Sequence, residues 1–205
     1  TESIKKIIIE EGITRIEGSG TFAEGAVESI YFPSTLAAFG SWYVDYDPVK
    51  HSYNYFDRCP NLKEIIESPN NNNFTSFDGV LFTKNGSILI SYPHGRNEAY
   101  TLPNGVTKIG ENAFRECDRL TEVTIPNSVI QIGWNAFGYC TGLSKLVIPD
   151  SVIEINGSAF AGCSNISELK ISNNLVAIEG DVFSGLSSLT VLVIPNSVKS
   201  IGSQA

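Results

Sequence analysis

Four cysteines are the side chains of this 205-residue chain with the greatest capacity for chemistry, because thiolates bind zinc and thiol pairs form disulfides. Cys117, Cys140 and Cys163 recur at a spacing of 23 residues, and the next position in the series is Leu186. Cys59 lies in the same local pattern, three residues after a phenylalanine and three before a leucine. The shared position therefore accepts an apolar group of this size and does not require a thiol.

Buried, reduced thiols are the favoured interpretation of this spacing, since a free cysteine packs as a small hydrophobic residue. Stacked coils bring equivalent Cα atoms to about 5 Å, which is within disulfide range, but parallel Cβ vectors disfavour a bridge. A zinc site needs close Cys-x-x-Cys or histidine partners, which the sequence lacks. Disulfides and a metal site are the alternatives.

Catalytic side chains are the second group to consider. His51 and His94 are the only histidines, and neither belongs to an HExxH pattern. The acid nearest to His51 in sequence, Asp47, lies in an expected loop. No GxSxG, P-loop or dinucleotide-binding pattern occurs. The sequence therefore predicts no catalytic residues, no metal site and no cofactor, and we expect the protein not to be an enzyme.

The cysteine spacing belongs to a longer repeat, and this repeat determines the predicted fold. Four consecutive copies of one 23-residue pattern begin at Val106, Val129, Val152 and Leu175, and the first reads VTKIGENAFRECDRLTEVTIPNS. A repeat of this period is typical of a solenoid, in which each coil buries its apolar side by stacking on its neighbours. The chain is therefore predicted to be an α/β repeat solenoid with 23-residue coils.

Each coil is predicted to contain one strand and one short helix. Val123 and Ile125 alternate with polar residues, as in a strand with one buried face, and Pro126 ends this strand. Residues 113–117 carry apolar side chains at helical spacing. Stacked coils would pair their strands in a parallel sheet. Because the two walls differ in thickness, we expect a curved stack with the sheet on the concave face and short helices on the convex face.

We expect a single solenoid over residues 1–205, with three parts. These are the N-terminal coils (1–35), the irregular coils (36–105) and the regular coils (106–205). The irregular part holds an aromatic insertion and a second, hairpin-like insertion, in which Asp78-Gly79 and Asn85-Gly86 are turn pairs typical of β-hairpins. Both ends of the chain fall inside a repeat, and the C-terminal coil is truncated, so we expect either that the natural protein extends further or that the last coil is disordered.

Charge and hydropathy limit the partners. The formal net charge is −8, and no cluster of Lys and Arg is present, so a nucleic acid is not an expected ligand. The apolar runs, such as residues 7–9 and 192–194, have only the length of a strand, and no membrane insertion is expected within this chain. The repeat, the absence of a catalytic set and the exposed variable positions favour a protein partner, and a glycan is the alternative.

Two groups of residues are candidates for binding such a partner. The first is an aromatic cluster in the insertion, where large rings offer contact area at a low entropic cost, unless they fold back to cover the core. Its members are Trp42, Tyr43, Tyr46, Tyr53 and Tyr55. The second group comprises outward positions of the strands, where side chains are free to vary. Its members are Thr124, Lys145, Val147, Lys170, Val191 and Val193, with Tyr31 in the N-terminal coils.

The chain resembles the BspA-like, or treponemal-type, leucine-rich repeat family. The resemblance rests on the 23-residue spacing, the IGxxAFxxC pattern at 109–117, the IPxSV junction at 125–129 and the stretch FDGVLFTKNGSILISYP. It covers nearly the whole chain, with residues 37–55 as the main departure. It implies a right-handed, curved leucine-rich solenoid and a secreted or surface-anchored protein whose anchor lies outside this chain.

The resemblance also implies a function in adhesion. Some members of the family bind host matrix or plasma proteins, such as fibronectin and fibrinogen, or take part in bacterial coaggregation. No universal binding motif accompanies this activity, so no residue role is transferred. We therefore expect a non-enzymatic interaction module at the cell surface, with a carbohydrate-binding protein and an architectural spacer as alternatives.

Overall fold

The computed structural model describes residues 4–17, 22, 25–39, 56, 59–96 and 99–205. Within these ranges every regular element is a β-strand. The strands are β1 (Lys6–Ile8), β2 (Arg15–Ile16), β3 (Ser29–Phe32), β4 (Ala38–Phe39), β5 (Glu64–Glu67), β6 (Phe74–Phe77), β7 (Val80–Thr83), β8 (Ile88–Ser91), β9 (Tyr100–Thr101), β10 (Lys108–Ile109), β11 (Val123–Thr124), β12 (Gln131–Ile132), β13 (Lys145–Val147), β14 (Glu154–Ile155), β15 (Glu168–Lys170), β16 (Ala177–Ile178) and β17 (Ser200–Ile201).

One side of the stack, which we call wall A, is formed by β1, β3, β5, β9, β11, β13 and β15. Paired strands in it run parallel with a register of one coil, as shown by Leu146 opposite Leu169 in β13 and β15. Side chains alternate between the core and solvent, so that Val123 is buried and Thr124 is exposed. The parallel strands predicted for this wall are confirmed.

A second side, wall B, is formed by β2, β4, β8, β10, β12, β14, β16 and β17. Its strands also pair in parallel, and Ile109, Ile132 and Ile155 lie in register on successive strands with buried side chains. A glycine allows the coils to approach closely here, because a Cβ at Gly133 would lie 2.8 Å from the amide nitrogen of Glu111. The regular coils that begin at Val106, Val129 and Val152 therefore each contribute a strand to both walls, and the coil that begins at Leu175 contributes one to wall B.

The predicted short helices are wrong for the described residues, where this side of each coil consists of turns. Two positions per coil have a positive φ, as in Asn112 (54°) and Glu116 (59°), and left-handed residues interrupt an α-helix. Intervening amides bond to the next coil, since Phe114 N–H donates to Ala136 O at 2.7 Å. We call this side the turn wall, and it spans 111–117, 134–140, 157–163 and 180–186.

A column of stacked rings runs through the core behind the turn wall. Phe114, Phe137, Phe160 and Phe183 stack with centroid distances of 4.7, 5.3 and 5.9 Å and interplanar angles of 6°, 10° and 11°. Tyr92 extends the column at 5.0 Å from Phe114. The first three phenylalanines are fully buried, so the column contributes apolar contact in every coil.

All four cysteines are buried and free, which confirms the prediction of reduced, buried thiols. Each thiol also donates a hydrogen bond to a carbonyl of the preceding coil. Cys140 Sγ lies 2.9 Å from Phe114 O, and Cys163 Sγ lies 2.9 Å from Phe137 O. Burial raises the pKa of the Cys140 thiol well above its ordinary value, so the thiol keeps the proton that it donates.

Replacing Cys140 separates the volume of the thiol from its hydrogen bond. Cys140→Ala is expected to lower the free energy of unfolding by about 1–2 kcal/mol, because it removes a donor and leaves a small cavity. Cys140→Ser is expected to cost less, since its hydroxyl can donate to Phe114 O. Urea unfolding of the three proteins measures both values. A serine variant less stable than the alanine variant would assign the position to apolar packing alone.

The irregular part between β5 and β9 contains two antiparallel pairs. Strands β6 and β7 pair across Asp78-Gly79, where both residues have a positive φ, and β7 pairs with β8 after Asn85-Gly86. Strand β8 then joins wall B in parallel with β10. Arg96 holds the first turn by an ion pair to the Asp78 carboxylate at 2.7 Å and by a hydrogen bond to its carbonyl.

Candidate interaction surface on wall A

The outward candidates of the regular coils lie on wall A. The side chains of Thr124, Lys145, Val147 and Lys170 are exposed, while their inward neighbours Val123 and Leu146 are buried. Val191 and Val193 are 69% and 75% exposed and lie beyond β15, where residues 190–194 form no strand. The structure thus brings the predicted outward positions to one face, with an apolar end.

Wall A is split between β11 and β13. On one side Leu102 N–H donates to Thr124 O at 3.1 Å, and on the other Ile148 N–H donates to Lys170 O at 2.8 Å. The bond that the repeat would place between them, from Ile125 N–H to Val147 O, is not formed in the described range 99–205. Strands β9 and β11 therefore make one sheet, and β13 and β15 make another.

A groove of ≈ 480 Å³ lies at this split. Three of its lining residues, Thr124, Lys145 and Val147, are outward candidates predicted from the repeat. The full lining is Thr121, Glu122, Val123, Thr124, Ile125, Ser144, Lys145, Val147 and Pro149. The groove therefore combines charged, hydroxyl and apolar groups along two strand edges.

The charges on wall A near the groove are of both signs. Lys145 Nζ lies 2.6 Å from the Glu168 carboxylate, and both side chains are about two-thirds exposed. This hydrogen bond, with the negative charges of Glu168 and Glu122, raises the pKa of Lys145. An exposed pair of this kind contributes little to stability, so it is free to exchange partners with a ligand.

The N-terminal candidate Tyr31 lies elsewhere, in β3. Its ring is half-buried, and Lys6 Nζ lies 4.1 Å from the ring centroid. Nearby, the Glu28 carboxylate accepts hydrogen bonds from Lys63 at 2.8 Å and from Lys5 at 3.2 Å. Both bonds lower the pKa of Glu28, and the bond from Lys63 has the larger effect. Tyr31 therefore belongs to a separate charged surface and is not part of the groove.

The aromatic insertion lies outside the described residues. Trp42, Tyr43, Tyr46, Tyr53 and Tyr55 all fall in the range 40–55. Whether these rings bind a partner or cover the core stays a prediction. His51, for which the sequence predicts no catalytic or ligand role, also lies outside the described residues.

Sequence reasoning missed an exposed apolar ridge and the split in wall A. Ile130, Ile153 and Val176 are 49%, 57% and 59% exposed, and they occupy one repeat position, directly before the wall B strands β12, β14 and β16. Polar residues fill that position in the flanking coils, as in Thr107 and Lys199, and this contrast is the signal that could have identified the ridge. No comparable signal marks the split.

The described residues contain neither a metal-binding cluster of side chains nor a helix that could cross a membrane. No group of three or more His, Cys, Asp or Glu side chains in them is arranged to hold a metal ion. Within the same residues, no helix is long and apolar enough to cross a membrane.

His94 is buried, and burial lowers its pKa to about 4, against a smaller opposing effect of Asp118.

Stacked 23-residue coils, parallel strands and columns of buried apolar residues define a leucine-rich repeat solenoid. The family model for the BspA type leucine rich repeat region matches in six copies, over residues 1–91 and 91–205. The chain belongs to this family, which confirms the resemblance found in its sequence.

Solved structures of bacterial leucine-rich repeat proteins have the same fold. A leucine-rich repeat protein from Eubacterium ventriosum is 21% identical, with a TM-score of 0.65 over 98% of this chain and 63% of its own. The pneumococcal vaccine antigen PcpA is 20% identical, with a TM-score of 0.62 over 97% and 62%. A leucine rich cell surface protein from Faecalibacterium prausnitzii is 23% identical, with a TM-score of 0.60 over 98% and 60%.

The chain thus spans 60–63% of the length of these three structures. At these identities the similarity shows the fold alone. A comparison with curated protein sequences gives no significant match.

Proposed function

We propose that this chain is a non-enzymatic interaction module that binds a protein partner through wall A. The observation that carries the proposal is the groove at the split between β11 and β13, because it is lined by Thr124, Lys145 and Val147. These three side chains are exposed and do not pack in the core, so their hydroxyl, ammonium and methyl groups can contact a partner. Membership in the BspA-type family supports an interaction repeat.

We also propose a shape and a location for the module. The coils form a right-handed, curved stack with wall A on its concave face, which would present the groove to a convex partner. Display at the cell surface or secretion is supported by the descriptions of two structurally similar proteins, one a cell surface protein and the other a vaccine antigen. The first partners to test are fibronectin and fibrinogen, which the resemblance to BspA-like adhesins implies.

Reversing the charge of Lys145 tests the groove. Lys145→Glu places a third carboxylate beside Glu122 and Glu168 and removes the ion pair at 2.6 Å. The affinity for an immobilised partner, measured by surface plasmon resonance, is expected to change at least about tenfold, or about 1.4 kcal/mol, with a gain for a basic contact segment and a loss for an acidic one. Circular dichroism should be unchanged, because the side chain is exposed.

Lys199→Glu is the matched control, since Lys199 is an exposed lysine directly before strand β17 of wall B and does not line the groove. It has the same change in net charge, so a general electrostatic effect would change the affinity of both variants alike. Equal affinities for wild type and Lys145→Glu would remove the groove from the binding surface. Failure of the wild type to bind either fibronectin or fibrinogen would count against the proposed function.

The alternatives predicted from the sequence are a carbohydrate-binding protein and an architectural spacer. The first rests on the aromatic insertion with Asp45 and Asp47, all outside the described residues. A glycan array without a bound glycan would remove it. The spacer predicts that neither a glycan nor a protein binds saturably, so the same measurements distinguish the three.

A further inference from the structure

The split in wall A leaves two facing strand edges with unpaired backbone groups. In neighbouring coils, Tyr100 N–H donates to Glu122 O at 2.9 Å and Leu102 N–H donates to Thr124 O at 3.1 Å. One coil further on, the same bonds would run from Val123 and Ile125 N–H to Lys145 and Val147 O. Within the described range 99–205 no backbone hydrogen bond joins residues 121–125 to residues 144–149.

Backbone groups of this kind need partners, because an unpaired N–H or C=O shielded from water costs free energy. The β11 edge offers N–H donors at Val123 and Ile125, and the β13 edge offers carbonyl acceptors at Lys145 and Val147. An extended polypeptide carries both complementary groups and can satisfy the two edges together. This is the chemistry of strand addition, with the difference that the site lies inside a wall.

We propose that the split between β11 and β13 binds an extended peptide segment of the partner as an added strand. The inference deepens the proposed function and rests on it. The banks at 121–125 and 144–149 are long enough to pair with about four residues of extended chain, at about 3.3 Å per residue. The groove of ≈ 480 Å³ receives the side chains of that segment.

The side chains on the two banks specify the chemistry of the segment. Lys145 is paired with Glu168, whereas Glu122 makes no salt bridge within the described residues and interacts with Lys145 only as a nearby charge, so its carboxylate can pair with a ligand. A Lys or Arg of the segment would pair with Glu122, and a small apolar residue would contact Val147, which is 46% exposed. The net charge of −8 on the chain also favours a basic segment.

Amide hydrogen exchange on the free protein, resolved by NMR, tests the open edges without any partner. The amides of Val123 and Ile125 are expected to exchange at least about tenfold faster than those of Tyr100 and Leu102, their equivalents one coil earlier. Equal protection would show that wall A is closed in solution and would overturn the inference. The proposed function would stand in that case, because outward side chains alone could still bind a folded partner.

Selection from a random library of linear dodecapeptides displayed on phage tests the occupant. The selected peptides are expected to contain Lys or Arg and to slow the exchange of the Val123 and Ile125 amides when bound. Thr124→Trp, which places an indole over the split, is expected to weaken their binding at least tenfold. Thr101→Trp is the matched control, since Thr101 is the exposed threonine opposite Thr124 in the closed pair β9 and β11.

The outcomes separate the inference from the proposed function. Failure to select any peptide, equal binding by Thr124→Trp, or binding that leaves the exchange of the Val123 and Ile125 amides unchanged would each overturn strand addition. Binding of a folded partner whose affinity Lys145→Glu changes would still support the interaction module. A wild-type protein that binds peptides but no folded partner would support peptide binding at the split between β11 and β13 and would not support the proposed function.

Discussion

Replacing Phe137 with alanine is expected to lower the free energy of unfolding by about 3–5 kcal/mol. The ring of Phe137 is fully buried and lies in the middle of the aromatic column. It stacks on Phe114 at 4.7 Å and on Phe160 at 5.3 Å, with nearly parallel planes. Its removal deletes apolar contact with both neighbours and leaves a cavity that rigid, hydrogen-bonded coils cannot close. Urea unfolding monitored by circular dichroism measures the loss.

Phe183→Ala is the control, because Phe183 lies at the end of the described column. It is 7% exposed and has one stacked neighbour at 5.9 Å, so its removal opens a cavity with solvent on one side. A loss smaller by about 1 kcal/mol or more is expected. Equal losses, or a loss below about 1 kcal/mol for Phe137→Ala, would show that the column is not a cooperative part of the core.

The core columns could be predicted from sequence because the repeat places one residue type in one environment. Phe137, Cys140 and Ile132 recur at constant spacing, and the structure buries each of them. The same argument assigned the outward positions Thr124 and Val147 correctly, since alternation along a strand depends only on local geometry.

The turn wall could not be predicted from apolar spacing alone. Spacing at i, i+1 and i+4 fits a helical turn and also fits interlocked turns whose amides bond to the next coil. Asn112 and Asn135 with positive φ, and Gly162 and Gly185 at the second left-handed position, carry the signal that distinguishes them. Asn and Gly adopt this region more readily than other residues, so the pattern favours turns once it is considered.

The split in wall A has no counterpart in the sequence pattern. Residues 121–125 read TEVTI and residues 144–148 read SKLVI, and both alternate as strands should. Alternation determines which side chains face the core, but it does not determine whether adjacent coils come within hydrogen-bond distance. That distance depends on how the whole stack bends and packs, which no local pattern encodes.

Lowering the pH from 7 to 5 is expected to destabilise the protein through His94. The side chain is 5% exposed, and burial lowers its pKa to about 4 from an ordinary value of 6.5. Asp118 raises this pKa and Arg115 lowers it, so the nearby charges partly cancel and burial decides the direction. The folded state therefore holds His94 neutral, while the unfolded chain takes up a proton as the pH falls through 6.5.

The sign of the effect follows from this difference. Protonation of His94 has little effect on the free energy of unfolding above pH 6.5, and it lowers this free energy steadily as the pH drops from 6.5 towards 4. The loss amounts to about 2 kcal/mol at pH 5 and about 3 kcal/mol at pH 4. Carboxylates with a lowered pKa, such as Glu11 and Asp150, lose their contribution in a more acidic range.

His94→Gln isolates the histidine, because glutamine is polar and does not titrate. Urea unfolding at pH 7, 6 and 5 is expected to show a decline for the wild type that is about 2 kcal/mol steeper than for the variant. A lower stability of the variant at pH 7 would report lost packing and leave the difference in slope intact. Parallel profiles for the two proteins between pH 7 and 5 would mean that the folded state accommodates the protonated ring, with Asp118 outweighing the effect of burial.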